Sequence, residues 1–334
     1  MRAPYRPPAG PGASDVTVPA AEIRVIPAVR RESVGDVRWA ALGVVYVVWG
    51  STYLGIRFTI ESMPPLVSAG TRFFLAGAVL AVVVAWRGGL RMTRRQFGSA
   101  VLLGLLLPAW GNGLVVLAEQ SVASGLAALL VAAVPLYVVL MRRFAGERPH
   151  RVTYAGVAIG LVGLAVLLSD DVGESSWWGP WVVLLAALGW ALGSFLSSRL
   201  DTPANPFALS AVEMLAGGVA LTVAGLAAGE RVSFGAITTS SWVAWGYLVV
   251  FGSLLAFSSY VYVLGQLPVS TVATYAYVNP VIAVVLGVWL ADERFGVRQL
   301  LGGLLVVAAV VLVVRAERKR RTPVGVSPRA EDER

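Results

Sequence analysis

A chain of 334 residues that is 57% hydrophobic and 14% charged, with a mean hydropathy of +0.74, lies outside the range of soluble domains, which are about 45–50% apolar and about 25% charged. With no cysteine and a single histidine, His150, set in a basic loop, disulfides, thiolate chemistry and cysteine-held metals are excluded, and no cofactor or metal is expected. The composition defines a polytopic membrane protein.

Residues 1–36 are rich in Pro, Ala and Gly and lack a continuous apolar core, so they read as a disordered cytoplasmic tail and not as a cleaved signal peptide. A bilayer core of about 30 Å needs around 20 apolar residues per helix. Ten such segments follow, near 39–60, 64–86, 97–117, 122–142, 152–169, 181–199, 206–228, 242–264, 268–290 and 299–315. On the first, Tyr46, Trp49, Tyr53 and Arg57 share one helical face, with Trp49 near mid-membrane. The second opens at Pro65 and carries Arg72 about 10 Å further in. Trp110 and Asn112 follow Pro108 on the third, and Tyr137 stands beside Pro135 on the fourth. Trp190, Ser194 and Ser197 share a face of the sixth, and Glu213 follows Pro206 on the seventh as Arg72 follows Pro65 on the second. The ninth presents Thr271, Tyr275 and Asn279 at i, i+4 and i+8, and Pro280 cannot donate to the carbonyl of Ala276. A basic cytoplasmic tail, 317–334, closes the chain.

One spacing occurs twice. Ser124, Glu147 and Gly156 recur as Ser270, Glu293 and Gly302, and Pro65, Arg72 and Gly77 recur as Pro206, Glu213 and Gly218. The chain therefore divides into two homologous halves, 37–170 and 171–316, of five segments each. An odd number makes the halves inverted in the membrane, an arrangement common among secondary transporters. With both termini cytoplasmic, 22 of the 27 Lys and Arg residues fall inside and three outside, as the positive-inside rule requires. The basic charge is thus an orientation signal toward anionic lipid, and no nucleic-acid partner is expected.

An all-α bundle of ten helices in two inverted repeats is expected to surround a central cavity, because several half-polar faces converge at mid-depth. Freed backbone near Pro108, Pro135 and Pro280 is tolerated where it lines such a cavity. Trp49, Tyr53, Trp110, Asn112, Tyr137, Trp190, Ser194, Tyr275 and Asn279 are the candidate substrate-binding residues. A site of this composition suits uncharged, zwitterionic or aromatic small molecules better than polyanions. Arg72 and Glu213 are the intramembrane charges, each costing at least about 2.5–3.5 kcal/mol at a helix centre; Glu213 is the candidate proton carrier, and snorkelling is the competing reading for both. Glu119 reads as a solvated helix end. Tyr260, Tyr262, Trp242, Trp245, Trp177, Trp178 and Trp181 read as interfacial belts. Gly156/Gly160 and Gly189/Gly193 match small-residue helix packing.

Trp49-Gly50-Ser51-Thr52-Tyr53, the spacing from Pro64-Pro65 to Arg72, Ala118-Glu119 before Ser124-Gly125-Leu126-Ala127, and Gly146-Glu147-Arg148-Pro149 resemble the first EamA repeat of the drug/metabolite transporter superfamily. Phe251-Gly252-Ser253, the run from Ala273 to Pro280 and Asp292-Glu293 resemble the second. The second repeat has Asp292 where the first has Gly146. The resemblance implies a bacterial inner-membrane exporter of metabolites, amino acids or drugs that works by alternating access; proton or exchange coupling is the expectation attached to Glu213. An uptake permease for sugars or nucleotide sugars and a passive channel are the alternatives. A membrane enzyme is disfavoured, since the sequence has no HExxH, GxSxG or P-loop pattern.

Overall fold

The computed structural model describes residues 31–147, 151–168, 178–272 and 274–319. The expected tails lie largely outside these residues, as do His150 and Trp177, although α1 (Arg31–Ile60) starts ahead of the boundary expected at residue 37. Among the described residues all regular structure is helical. Eight stretches of the described residues are long and apolar enough to cross a membrane: Val37–Ile60, Pro65–Trp86, Arg94–Ala118, Ser124–Phe144, Arg151–Leu168, Gly179–Ser197, Pro206–Ala227 and Thr239–Gln266. Val278–Ala291 and Val297–Val313 are shorter apolar helices.

Four of these stretches are irregular. Residues Leu105–Asn112 form a π-helical turn between α3 (Arg94–Gly104) and α4 (Gly113–Ala118). Pro108 lies inside it: its ring cannot donate to the carbonyl of Gly104, so the hydrogen-bond ladder widens. A second π-helical turn, Leu248–Phe257, joins α10 (Thr239–Tyr247) to α11 (Ser258–Gln266) without a proline. Between α5 (Ser124–Val131) and α6 (Val134–Phe144) the helix breaks and restarts, with Pro135 in the first turn of α6, where a missing N–H is tolerated. Pro280 behaves differently from expectation. The helix α13 (Tyr275–Ala291) runs through it, and the interruption lies one turn earlier, after α12 (Val269–Val272). The carbonyl that Pro280 leaves free, that of Ala276, belongs to the first turn of α13, so the disturbance moves to the start of the helix.

The bundle is joined by close crossings of small residues, because lipid gives helices no hydrophobic reason to associate and contact must come from close packing. The helix α2 (Pro65–Trp86) lies along α9 (Pro206–Ala227), and α7 (Arg151–Leu168) along α14 (Val297–Lys319). In the first crossing a Cβ on Gly77 would meet the nitrogen of Leu215 at 2.8 Å and the carbonyl of Ala211 at 3.0 Å; one on Gly218 would meet Phe74 nitrogen at 2.5 Å and Gly70 carbonyl at 2.8 Å. Counted from Pro65 and Pro206, these are the same contacts with the helices exchanged. The second crossing repeats the pattern. Gly156 abuts Ala309 and Val313, and Gly302 abuts Gly163 and Leu167, again at matching positions.

Loops are tied at both ends. At the end where α1 begins, called the basic end below, Glu147 bridges Arg142 and Arg199, each at 2.7 Å. At the opposite end Glu230 accepts from the backbone of Leu66 (3.0 Å) and Val67 (2.8 Å), and Glu293 caps α5 by accepting from Ser124 N (2.8 Å), Ser124 Oγ (2.7 Å) and Gly125 N (3.1 Å). Asp292 takes the left-handed conformation, φ 51°, that Gly146 takes at 84°. Aspartate is among the few residues that accept it, so it can stand before Glu293 where glycine stands before Glu147.

The carboxyl of Glu147 is pushed up by partial burial, but the hydrogen bonds and charge of Arg142 and the charge of Arg199 hold it below its ordinary value. A depressed folded value means that its contribution to stability is present above the unfolded pKa and disappears as pH falls through the folded one. Glu147→Gln is therefore expected to lower the unfolding temperature at neutral pH, the deficit vanishing in acid below the carboxylate range. A deficit that stays constant with pH would refute the electrostatic origin.

Candidate functional site

A cavity of about 600 Å³, counted with its opening, occupies the centre of the bundle. From α1 it takes Trp49, Thr52 and Tyr53; from α2, Arg72 and Phe73; from the Pro108 π-turn, Gly111 and Asn112; from α8 (Gly179–Ser197), Trp190; from the second π-turn, Gly252 and Phe257; and from α13, Tyr275 and Asn279. Of the face read on α1, Trp49 and Tyr53 line this space and Tyr46 and Arg57 do not; Asn112, Trp190, Tyr275 and Asn279 are the other candidate residues on it.

Trp49 is the hub. Its ring meets Tyr260 at 4.7 Å, Trp190 at 5.3 Å and Tyr275 at 5.4 Å between centroids, the last two edge-on, as aromatic quadrupoles prefer. Its Nε1 donates to the carbonyl of Gly252 at 3.3 Å, inside the widened turn. Ser194 does not line the cavity. It sits behind, donating to the backbone carbonyl of Trp190 at 2.8 Å and hydrogen-bonded to the Tyr260 hydroxyl at 2.7 Å, and so holds the Tyr260 ring. With its amide turned to suit its neighbours, Asn279 donates to the carbonyls of Tyr46 (3.0 Å) and Tyr275 (3.2 Å). The hydroxyl of Tyr46 makes a short hydrogen bond to Thr274 beside the helix break.

One polar atom of this wall has no partner: Asn112 Oδ1, an acceptor, is buried and unbonded. Trp190 Nε1, a donor, lies among the hydroxyls of Tyr260 and Tyr275 without a close, well-aligned hydrogen bond. Buried polar atoms are nearly always satisfied, so an unbonded acceptor on a residue that lines the cavity points to a ligand that completes it. Arg72, 3% exposed, adds the cation. Its Nε donates to Ser253 Oγ at 2.9 Å, and its guanidinium lies 4.5 Å from the centre of the Phe73 ring, so the charge is held in place and does not snorkel to a surface.

Other residues stand elsewhere. Trp110 is 42% exposed and donates to the carbonyl of Leu185 at 2.9 Å, its ring packed on Gly189, so the structure places it on the outer flank of α8. Tyr137 is half-buried and is not among the cavity's lining residues. Glu213, buried with Oε2 unpaired, lines a separate opening of about 770 Å³ at the basic end, between α8, α9 and α11. Arg72 and Glu213 are thus in different spaces.

Two expectations need correction. Tyr260 is no interfacial anchor: it is 1% exposed in the aromatic cluster, because α11 continues to Gln266 and leaves it well inside the helix. Glu119 is no solvated helix end. It is fully buried with neither carboxylate oxygen hydrogen-bonded, beneath Arg57, whose Nη1 donates to its carbonyl at 3.2 Å. No local pattern in the sequence marks it, since the cover comes from other helices. Among the described residues no cluster of His, Cys, Asp or Glu is placed to hold a metal ion.

A helical membrane bundle with a central polar–aromatic cavity defines a protein of the membrane-transport class. The EamA-like transporter family model matches residues 38–169 and again 177–315, and the chain belongs to that family. It is 41% identical to the inner membrane transporter YedA of Escherichia coli K12 over 82% of this chain and 90% of that protein. It is 29% identical to a probable terminal-alkyne amino-acid exporter of Streptantibioticus cattleyicolor, covering 84% and 94%. A solved crystal structure with 20% identity matches 86% of this chain and 99% of its own at a TM-score of 0.62, a likeness of fold.

Proposed function

We propose that this chain is a secondary active transporter of the bacterial inner membrane, with both termini cytoplasmic, ten spans in two inverted five-helix halves, and outward transport by alternating access. The reciprocal glycine crossings of α2 with α9 and of α7 with α14 support the inverted halves. The concentration of Arg at one end supports the orientation.

The unpaired Asn112 Oδ1, on the same cavity as Arg72 and the Trp49 and Trp190 rings, carries the substrate reading. A ligand must offer a donor, an acceptor and an apolar body, and a carboxylate would find one guanidinium. Zwitterions such as apolar or aromatic amino acids meet these terms, in keeping with the amino-acid exporter among the relatives. Sugar phosphates and nucleotide sugars do not, since one cation cannot match a phosphate cluster. Glu213, facing the cytoplasmic opening, is the coupling carboxylate of this scheme.

Comparing the metabolites in the medium of overexpressing and deletion cells identifies the substrate and the direction together. With that substrate, proteoliposomes are expected to show saturable counterflow, and Glu213→Gln is expected to keep counterflow while losing most of the stimulation by a pH gradient. Flux linear in the gradient would sink the carrier reading. Undiminished pH stimulation in the variant would remove Glu213 from the coupling.

A further inference from the structure

We infer that Glu119 is a proton-binding site that controls the outer closure of the bundle, the cap that Glu293 places on α5. The inference rests on the transporter reading, and concerns a residue and a contact which that reading does not use.

Glu119 is a carboxylate with zero exposure and no hydrogen bond to either oxygen, at the end of the bundle opposite the basic loops. An ionised carboxylate in such a place is held only by charges around it. Those charges are mixed: Arg57 on α1 and Arg72 on α2 attract it, Glu293 beyond α13 repels it, and the phenol of Tyr53 on α1 also feels it. The helix α8, which packs on α4, brings no charged residue.

Five residues after Glu119, the N-terminus of α5 is closed by Glu293 through three hydrogen bonds. That cap ties the end of α13 to the start of α5. It suits a Glu293 anion, since a helix N-terminus favours negative charge. A second anion at Glu119 opposes it. With a proton on Glu119 the closure holds; with the proton gone, the Glu119 charge repels the Glu293 carboxylate that makes the cap, and the closure weakens.

The direction fits outward transport driven by protons. A proton arriving from outside after substrate release neutralises Glu119 and seals the outer end, which returns the cavity toward the cytoplasm. Only a proton is moved, and its counter-charge is the carboxylate itself.

The absence of cysteine in the chain permits site-specific spin labels. Labels on Gln120→Cys and Arg298→Cys, both exposed near the closure, report its width by electron–electron resonance in nanodiscs. The full-length chain is expected to show a short separation in acid and a longer population that grows severalfold toward alkaline pH. Glu119→Gln is expected to keep the short separation throughout, and Glu293→Ala to show the longer one throughout. Should Glu119→Gln fail to fold, Arg57→Gln is expected to raise the midpoint by about one pH unit, by removing an attracting charge. No pH-dependent change in the parent, the same change in Glu119→Gln, or an unmoved midpoint in Arg57→Gln would each overturn the inference. Counterflow by the same preparations is read separately: counterflow with a pH-insensitive separation refutes the proton site alone, and its absence with the expected separations refutes the transporter reading.

Discussion

Trp49→Ala is expected to reduce transport by about a hundredfold or more while leaving a chain that still inserts. Truncating a buried tryptophan removes about 3–5 kcal/mol of contact, and every 1.4 kcal/mol is a factor of ten when the loss falls on the ligand-bearing state. Trp49 touches three other rings and anchors to the second π-turn through Gly252, so its loss unseats the wall and not one contact. Trp49→Phe, which keeps the edge-on packing, is expected to recover much of the activity. Trp110→Ala serves as the contrast. It lies on the outer flank of α8 and is expected to change transport less than threefold, roughly the effect of half a kcal/mol. Counterflow normalised to folded protein checks all three; equal losses in Trp49→Ala and Trp110→Ala would mean that the cavity is not where substrate binds.

Gly77→Leu and Gly218→Leu are expected to prevent accumulation of folded protein, each at a cost of about 3 kcal/mol or more. The obstruction in both is backbone, at 2.8 Å and 2.5 Å from the new Cβ, and backbone at a helix crossing cannot swing aside as a side chain can. Because the two sites make the same contact with roles exchanged, their losses should match in size. Gly43→Ala and Gly98→Ala, where nothing lies within 4 Å, should be neutral or mildly stabilising, since alanine exceeds glycine in helix propensity by about 1 kcal/mol. Yield of monodisperse protein from membranes, with unfolding temperature, measures the series. A folded, stable Gly218→Leu would mean that the crossing is looser than described.

The sequence made the bundle legible because bilayer thickness imposes a length, and the Ser-to-Glu-to-Gly spacing marked the start of α5 (Ser124), the turn after α6 (Glu147) and a glycine of the α7–α14 crossing (Gly156). The face of Trp49 and Tyr53 was readable because α1 is a regular helix of period 3.6. The same counting fails at Trp110, which sits within a π-helical turn where that period no longer holds and the side chain rotates away from the cavity. Tyr260 was misplaced for a related reason, since the irregular Thr239–Gln266 stretch is longer than one regular span. Glu119 was illegible in principle. Its charged neighbours, Arg57, Arg72 and Glu293, stand on segments distant in sequence, and no local pattern carries that information.

The exchange symmetry of the α2–α9 crossing has a historical consequence. A surface on which Gly77 meets the partner's Ala211 and Leu215 while Gly218 meets Gly70 and Phe74 is self-complementary, the kind that two copies of one chain present to each other. A half-length ancestor able to insert either way up could have closed the same crossing as an antiparallel homodimer. In one chain the two faces need not stay identical, and the equivalent positions carry arginine at 72 and glutamate at 213.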